Sequence, residues 1–338
     1  MRTWGFAIIG CGMIAEFHIR ALNDIPNTKL VAVSSRQEQK AKTIGEREQC
    51  SWTTNYHELL ANPEVDIVIV ATSSGSHASI GFDALRAGKH LVIEKPMAMT
   101  GDEARELIRL AEDKRLLLSV ISQRRFEEPF QIVKLTLQDG RLGKLLLVEV
   151  TSPYYRTQAY YDSAEWRGTI SQDGGALMNQ GIHIIDVMLW LAGEVNHVVA
   201  KTATQAHRME AEDLGLALIH FRNGAYGTLM ASTSTKPGFL PTINLYGELG
   251  TIKIEGQEIK HWTVPGMEIP RYETSASEVG VSDPKSISHT YHQKQFMDVI
   301  HALETGVKPY VTGVDGLRAI AFIEAVYQSS ASGTQITL

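Results

Sequence analysis

The sequence has few cysteines, no long apolar run and no excess of positive charge. Its 2 cysteines, Cys11 and Cys50, are too few for a disulfide framework, and neither has neighbours at metal-ligand spacing. The first twenty residues lack the basic segment, apolar stretch and cleavage site of a secretory signal. No uncharged run approaches the ~18 apolar residues of a membrane span. These absences predict a cytoplasmic protein with no membrane partner.

The charge balance is mildly acidic. The chain has 38 Asp and Glu against 32 Lys and Arg, which gives a net charge of -6 at pH 7. Because proteins that grip a phosphate backbone do so with a basic face, we expect no nucleic-acid partner. A hydrophobic content of 43% and a length of 338 residues suit a globular protein of two domains.

The first part of the chain alternates short apolar runs with helical patterns, which is typical of β-α-β units on a parallel sheet. It therefore predicts a doubly wound α/β domain over residues 1–121. The predicted strands are 4–10, 30–34, 65–71, 90–94 and 116–120. The predicted helices lie near 13–24, 36–48, 54–61, 76–88 and 101–114.

The second part has longer β-type segments from about residue 144. Turn signals such as RNGA at 222–225 and GELG at 247–250 separate several of them. We therefore expect an α+β domain over residues 122–338 with a large, mostly antiparallel open sheet. Its predicted helices are 174–192, 287–304 and 314–329.

A glycine turn follows the first predicted strand, with the sequence GCGMIA at residues 10–15. In a dinucleotide-binding turn the first glycine permits the tight bend and the second lets the backbone approach a pyrophosphate at the helix N-terminus. The position between a strand and a helix favours this interpretation over a simple packing turn. The residues assigned to the cofactor here are Gly10, Gly12, Met13 and Ile14.

The end of the second strand bears on the choice of cofactor. NAD-binding folds place a carboxylate there, whereas a 2′-phosphate prefers a nearby arginine. Ser35 and Arg36 stand at this point, and no carboxylate comes before Glu38. The sequence therefore favours NADP(H), with NAD(H) as the alternative. In the other interpretation, Arg36 is a solvated residue at the start of a helix.

The stretch DGGALMNQGIHIID at 173–186 is apolar but carries three polar side chains. On an α-helix Asn179, His183 and Asp186 fall within an arc of roughly 60°. Asp173 is a candidate N-cap and Gly193 a candidate terminator. A buried polar stripe faces either a structural network or a cavity, and alone it favours a satisfied core histidine.

A lysine stands at the end of the fifth strand, in EKP at 94–96. Ligands of open α/β sheets bind beyond the carboxyl ends of the strands, which is where Lys95 lies. Pro96 rigidifies its backbone. Alone, the tripeptide equally suits a lysine that pairs with a surface acid.

Together these motifs resemble the Gfo/Idh/MocA oxidoreductase family. The matching segments are 10–15, 68–100, 154–169 and 173–186. The resemblance implies an N-terminal Rossmann domain and a C-terminal domain whose sheet mediates a homodimer or homotetramer. It also implies a small carbohydrate substrate. With the strand-end positions, it assigns further cofactor-binding roles to Ala71, Thr72, Ser73, His77, Glu94, Lys95, Pro96, Gln123, Trp166 and Arg167.

The same resemblance makes Lys95 and His183 catalytic. A histidine is a suitable acid/base near neutral pH, and a lysine cation stabilises a developing alkoxide. Asn179, the third candidate, stands where several members have an aspartate, and with WRG upstream it resembles the nucleotide-sugar 3-dehydrogenase branch. A sugar dehydrogenase is expected, with a nicotinamide-dependent glycoside hydrolase and a non-catalytic sensor as alternatives.

Several further residues are weaker candidates. Those that suit a sugar ring, carboxylate or phosphate are Gln123, Arg124, Arg125, Tyr154, Arg156, Tyr160 and Tyr161. A polar group at His289, Tyr291 and His292 lacks a third ligand at proper spacing, so no metal site is expected.

Overall fold

The computed structural model describes residues 2–272 and 288–338. Its strands are β1 (Trp4–Ile9), β2 (Thr28–Ser34), β3 (Ser51–Thr53), β4 (Ile67–Val70), β5 (His90–Ile93), β6 (Leu118–Val120), β7 (Leu145–Pro153), β8 (Val195–Ala203), β9 (Leu214–Phe221), β10 (Tyr226–Ser232), β11 (Thr242–Gly247), β12 (Thr251–Glu255), β13 (Glu258–Thr263) and β14 (Ile336–Thr337). Its α-helices are α1 (Met13–Asn23), α2 (Glu38–Glu48), α3 (Tyr56–Ala61), α4 (His77–Arg86), α5 (Gly101–Asp113), α6 (Glu128–Gln138), α7 (Gln158–Asp162), α8 (Ile182–Ala192), α9 (Thr290–Thr305) and α10 (Gly313–Ser332).

The described residues fold into two compact units. The first is the described part of Met1–Gln123 together with Ser288–Leu317, and the second is the described part of Arg124–Ile287 together with Arg318–Leu338. The division after Gln123 lies next to the predicted boundary at 121, whereas residues 288–317, which fall within the predicted second domain of 122–338, group with the first unit. The reason is α9, which buries Phe296 completely and brings its ring within 6.0 Å of Phe6 on β1.

The first unit contains a parallel sheet of six strands in the order β3-β2-β1-β4-β5-β6. This is the doubly wound order of a Rossmann fold, so the predicted fold class is confirmed. Ile67–Val70 of β4 is buried along its whole length, as expected for a parallel strand covered on both faces. Strand β3 was not predicted, because only three residues form it and two of them are exposed.

The second unit contains a sheet of eight strands in the order β13-β12-β11-β7-β10-β9-β8-β14. All neighbours are antiparallel except β7 and β10, which pair in parallel, so the prediction of a mostly antiparallel sheet is confirmed. RNGA joins β9 to β10 and GELG joins β11 to β12, as predicted. Helices α6 and α7 were not predicted.

Helices α9 and α10 agree with the predicted helices 287–304 and 314–329 to within a few residues. Residue 287, the predicted start of the first of them, lies outside the described residues. Helix α9 begins at Thr290 and α10 at Gly313. Among the described residues, no helix is both long and apolar enough to cross a membrane.

The predicted helix over 174–192 is only partly right. Ala176–Gly181 form a π-helix, and the α-helix α8 covers only Ile182–Ala192. Gly193, with φ of 96°, terminates it as predicted. The predicted spacing of 100° per residue therefore does not apply across the first six residues, because a π-turn closes its hydrogen bonds one residue later than an α-turn.

Candidate active site

The turn after β1 requires glycine at its first position. Gly10 has φ of +109°, and a Cβ there would lie 2.3 Å from the carbonyl oxygen of Ala71. The Gly10 amide donates to the carbonyl of Ser34 at 2.8 Å. The turn is thus packed between the ends of β2 and β4, and no other residue fits.

The second glycine of the turn faces open space. Gly12 is the N-cap of α1 without a side-chain cap, and a Cβ placed on it would have no atom within 4 Å. The positive end of the helix dipole and its N–H groups lie at this point. Ala15 is fully buried one turn later, and Met13 is 44% exposed. These residues fit the pyrophosphate of a dinucleotide.

The candidate ribose-binding residues follow β2. Ser35 is half-buried and its hydroxyl accepts a hydrogen bond from the Gln37 amide at 3.2 Å. Arg36 is exposed and lies two residues before α2, so it is not the first residue of that helix. Since Glu38 begins α2, no carboxylate occupies the end of β2 itself.

His77 joins the loops that follow β4 and β5. It is 1% exposed, with Nδ1 2.7 Å from the carbonyl oxygen of Pro96 and Nε2 3.1 Å from that of Thr72. Burial lowers its pKa, which favours the neutral ring. Both ring nitrogens face backbone carbonyls, and a neutral ring donates to one of them, so His77 ties the loop after β4 to the loop around Lys95.

Glu94 fixes the backbone of Lys95 from the other side. One carboxylate oxygen lies 2.9 Å from Nε2 of His18, and the other accepts the Lys95 amide at 3.1 Å. Burial alone would raise the pKa of Glu94, but the hydrogen bond and charge of His18, with the charges of His292 and Lys95, lower it to about 2. Glu94 is therefore an ionised, buried anchor directly before the candidate catalytic lysine.

Gln123 lies just beyond β6, at the same carboxyl-end edge of the sheet. It is 8% exposed, and its side-chain oxygen has no hydrogen-bond partner among the described residues. Since buried acceptors are normally satisfied, this oxygen suits a donor on a ligand. Its assignment to the cofactor stays a prediction.

In the second unit, Asp173 holds Asn179. The predicted N-cap role of Asp173 is wrong, because Gly175 caps the π-helix without any side-chain bond. One oxygen of Asp173 accepts from the Asn179 amide group, and the other accepts from the Gly168 backbone at 2.8 Å. A carboxylate is therefore present behind Asn179, although no ionisable group occupies position 179 itself.

Asp186 and Asn179, two of the polar residues of this stretch, have different partners. Both oxygens of Asp186 accept from the Arg125 guanidinium, at 2.8 and 2.6 Å, and both residues are buried. Asn179 is held by Asp173, while His183 is half-buried on the first turn of α8. Asp186 is thus a structural partner of Arg125.

Glu212 supports the π-helix, and no sequence pattern predicted this role. Its carboxylate accepts from the Leu177 amide at 2.9 Å and from the Tyr327 hydroxyl at 3.1 Å. Burial raises its pKa to about 7. A Cβ on Gly175 would lie 2.2 Å from this carboxylate, which explains the second glycine of the GG pair. No spacing in the sequence links 212 to 175.

An aromatic and basic cluster lies in the same unit. The guanidinium carbon of Arg167 is 4.2 Å from the ring centre of Tyr160 and 4.6 Å from that of Trp166. Arg156 lies 5.7 Å from the Tyr154 ring and 5.6 Å from the Tyr160 ring. The remaining weaker candidates have structural partners, since Tyr161 donates to Thr233 and Arg124 pairs with Glu127.

Comparisons with known proteins cover nearly the whole chain. Residues 4–122 match the family model "Oxidoreductase family, NAD-binding Rossmann fold". Residues 134–338 match "Oxidoreductase family, C-terminal alpha/beta domain". The two matches are separated only by residues 123–133, and they include residues of both units.

Individual solved structures and a sequence relative give the same result. The WlbA dehydrogenase from Bordetella pertussis, in complex with NADH and UDP-GlcNAcA, is 30% identical with a TM-score of 0.90, over 100% of this chain and 98% of that one. The WlbA dehydrogenase from Chromobacterium violaceum, in the same complex, is 32% identical with a TM-score of 0.89, over 100% and 96%. The scyllo-inositol 2-dehydrogenase (NADP(+)) IolW from Bacillus subtilis is 28% identical over 98% of this chain and 95% of its own.

Proposed function

Because the chain belongs to the Gfo/Idh/MocA oxidoreductase family, with its NAD-binding Rossmann fold and C-terminal alpha/beta domain, we propose that it transfers a hydride between a nicotinamide cofactor and a hydroxyl-bearing carbon of a sugar derivative. The observation that carries the proposal is the turn at Gly12. Its open space at the N-terminus of α1 fits a pyrophosphate and serves no packing purpose.

The proton chemistry is assigned to Lys95 and His183. When bound, the cofactor supplies the site that accepts or donates hydride. Lys95 places a cation where alkoxide charge develops on the substrate oxygen, and His183 takes or returns the hydroxyl proton. Glu94 and His77 fix the backbone on either side of Lys95, so the lysine needs little reorganisation.

The proposed substrate is a nucleotide sugar. Two relatives at 30% and 32% identity hold UDP-GlcNAcA. Asn179, held by Asp173, offers an amide group that can donate to or accept from a sugar hydroxyl, and the arginines around Tyr160 supply positive charge in the same unit. We assign Asn179 to the substrate hydroxyl and Trp166 and Arg167 to ligand binding.

The catalytic assignment is tested with the two alanine variants. Lys95→Ala and His183→Ala should each lower turnover of UDP-GlcNAcA by about 10²–10⁴-fold, with cofactor affinity unchanged within a few fold. Lys114→Ala and His57→Ala, both at exposed positions, serve as matched controls. Unchanged turnover in both active-site variants would contradict the roles proposed for Lys95 and His183. Cleavage of a glycoside without net change in nicotinamide absorbance would indicate the glycoside-hydrolase alternative. Binding of the cofactor without turnover of any sugar would indicate a sensor.

The proposed cofactor is NADP(H). Ser35 and the exposed Arg36 suit a 2′-phosphate, and IolW is named for NADP(+), whereas both WlbA structures hold NADH. Fluorescence titration with NADPH and NADH decides between them. Arg36→Ala should weaken NADPH binding by about tenfold and leave NADH unchanged. Tighter binding of NADH by the unmodified protein would overturn the assignment.

The proposed assembly is a homodimer or homotetramer through the second sheet. Leu216 and Leu218 of β9 and Tyr226 of β10 are 46%, 63% and 62% exposed, and Val199, opposite Leu218 on β8, is 42% exposed. An open sheet face with this much exposed apolar surface is typical of an interface. Leu218→Lys should shift the molar mass measured by light scattering to that of one chain. An unchanged mass would assign the interface to another surface.

A further inference from the structure

Three metal-ligating side chains meet inside the first unit. His18 lies on α1, Glu94 directly after β5 and His292 on α9. One ligand atom from each lies within 4.8 Å of the other two. All three residues are buried, at 0%, 6% and 1% exposure. The group joins parts of the chain that are far apart in sequence, which is why spacing alone did not reveal it.

The hydrogen-bonding capacity of this group is only partly used. The one bond within it joins His18 Nε2 and Glu94 Oε1 at 2.9 Å. Both ring nitrogens of His292 and Nδ1 of His18 are buried and have no hydrogen-bond partner among the described residues. Buried polar atoms in native proteins are nearly always satisfied, so each of the two rings has a nitrogen that calls for a partner, and an ion can take one nitrogen of each ring.

We propose that His18, Glu94 and His292 bind a divalent transition-metal ion, with Zn²⁺ as the natural candidate. Two imidazoles and one carboxylate are a ligand set that zinc prefers, with a water molecule as the fourth ligand. Zinc bonds to nitrogen and oxygen are about 2.0–2.2 Å long, so an ion placed between three ligand atoms that lie within 4.8 Å of one another can contact all three once the side chains close around it.

The ion has a structural role. Glu94 keeps one oxygen for the Lys95 amide and turns the other toward the two histidines. The ion therefore ties α1, the end of β5 and α9 together and leaves the contact between Glu94 and the Lys95 amide in place. His289, which lies near this group in sequence, pairs instead with Asp24 at 2.7 Å.

The test uses the full chain without an affinity tag, stripped with a chelator and dialysed against Zn²⁺. Elemental analysis after gel filtration should give one tightly held zinc per chain, and Tm should rise with zinc concentration. His292→Phe, which replaces the imidazole beside Phe17 with a phenyl ring, should lower zinc affinity by about a hundredfold or more. The matched control is His220→Phe, because His220 stacks on His197 at 4.7 Å and forms a second histidine pair.

Two results overturn the proposal. One is an unmodified protein that retains no zinc and shows no rise in Tm, which would mean that buried water satisfies the nitrogens. The other is equal zinc retention by His292→Phe and the unmodified protein, or loss of zinc only in His220→Phe. If His292→Phe does not fold, Co²⁺ added to the unmodified protein decides, since intense visible bands of four-coordinate cobalt support the site and the spectrum of aqueous cobalt refutes it.

Discussion

Lys95 and His183 are held in place by different means. Lys95 stands between two residues whose partners are distant in sequence, His18 for Glu94 and His77 for Pro96. His183 depends on local helix geometry, since it is the second residue of α8 directly after a π-helix. The lysine is therefore sensitive to the loss of single buried side chains, whereas the histidine is sensitive to the shape of one continuous segment.

The largest effect is expected from breaking the lysine's support. Glu94→Ala removes a buried carboxylate and leaves His18 without its partner, which should lower the free energy of unfolding by about 3–5 kcal/mol. Urea denaturation measures the loss. The exposed Glu38→Ala is the control and should change stability very little. A loss of less than 1 kcal/mol in Glu94→Ala would show that the anchor is dispensable.

A smaller, pH-dependent effect is expected in the segment before the histidine. The pKa of Glu212 is about 7 in the folded chain against an ordinary value of 4.5, because the group is buried. The folded state therefore binds more protons than the unfolded state between these values, and stability should fall as pH rises from 4.5 to 7. Glu212→Gln should remove up to about 3 kcal/mol of that decline.

Unfolding curves at several pH values test this prediction. Glu127, whose pKa burial also raises to about 7, contributes a similar slope, so Glu127→Gln is the matched variant. Each single variant should reduce the decline of unfolding free energy with pH in part, and the double variant should reduce it further. A profile for Glu212→Gln that runs parallel to that of the unmodified protein would contradict the assigned pKa.

The smallest effect is expected at Asp173. Asp173→Asn weakens the hold on the Asn179 side chain while leaving the Gly168 contact possible, so turnover should fall by about tenfold. Cofactor affinity should not change, because the contact that is lost is the one to Asn179, which we assign to the substrate hydroxyl. Comparison of kcat and KM for UDP-GlcNAcA checks the result. A change in cofactor affinity without a change in kcat would mean that Asp173 serves the cofactor.

The sequence predicted most of the first unit because its signals are local. Alternating apolar runs located five of the six parallel strands, and only the short, exposed Ser51–Thr53 escaped. The mostly antiparallel second sheet followed from strand length and turn residues. The parallel pairing of β7 with β10 could not be predicted, since pairing between distant strands leaves no periodic pattern in either.

The contacts that hold the candidate site could not be predicted for the same reason. The bond between His18 and Glu94 spans 76 residues, and that between Leu177 and Glu212 spans 35. Asp173 had the residue type and place of an N-cap, but Gly168 and Asn179 claim its two oxygens. The assignment of Lys95 and His183 depended on the family resemblance and stays a prediction until the variants are measured.

The π-helix at Ala176–Gly181 makes the length of this segment as important as its composition. Each residue of an α-helix turns the chain by about 100°. Deleting one residue from the π-turn would let an α-helix run through, but it would also swing the GG pair and Asp173 around the axis relative to His183. Insertion or deletion of one residue in this segment should therefore disturb the placement of His183 more than a substitution that keeps its length.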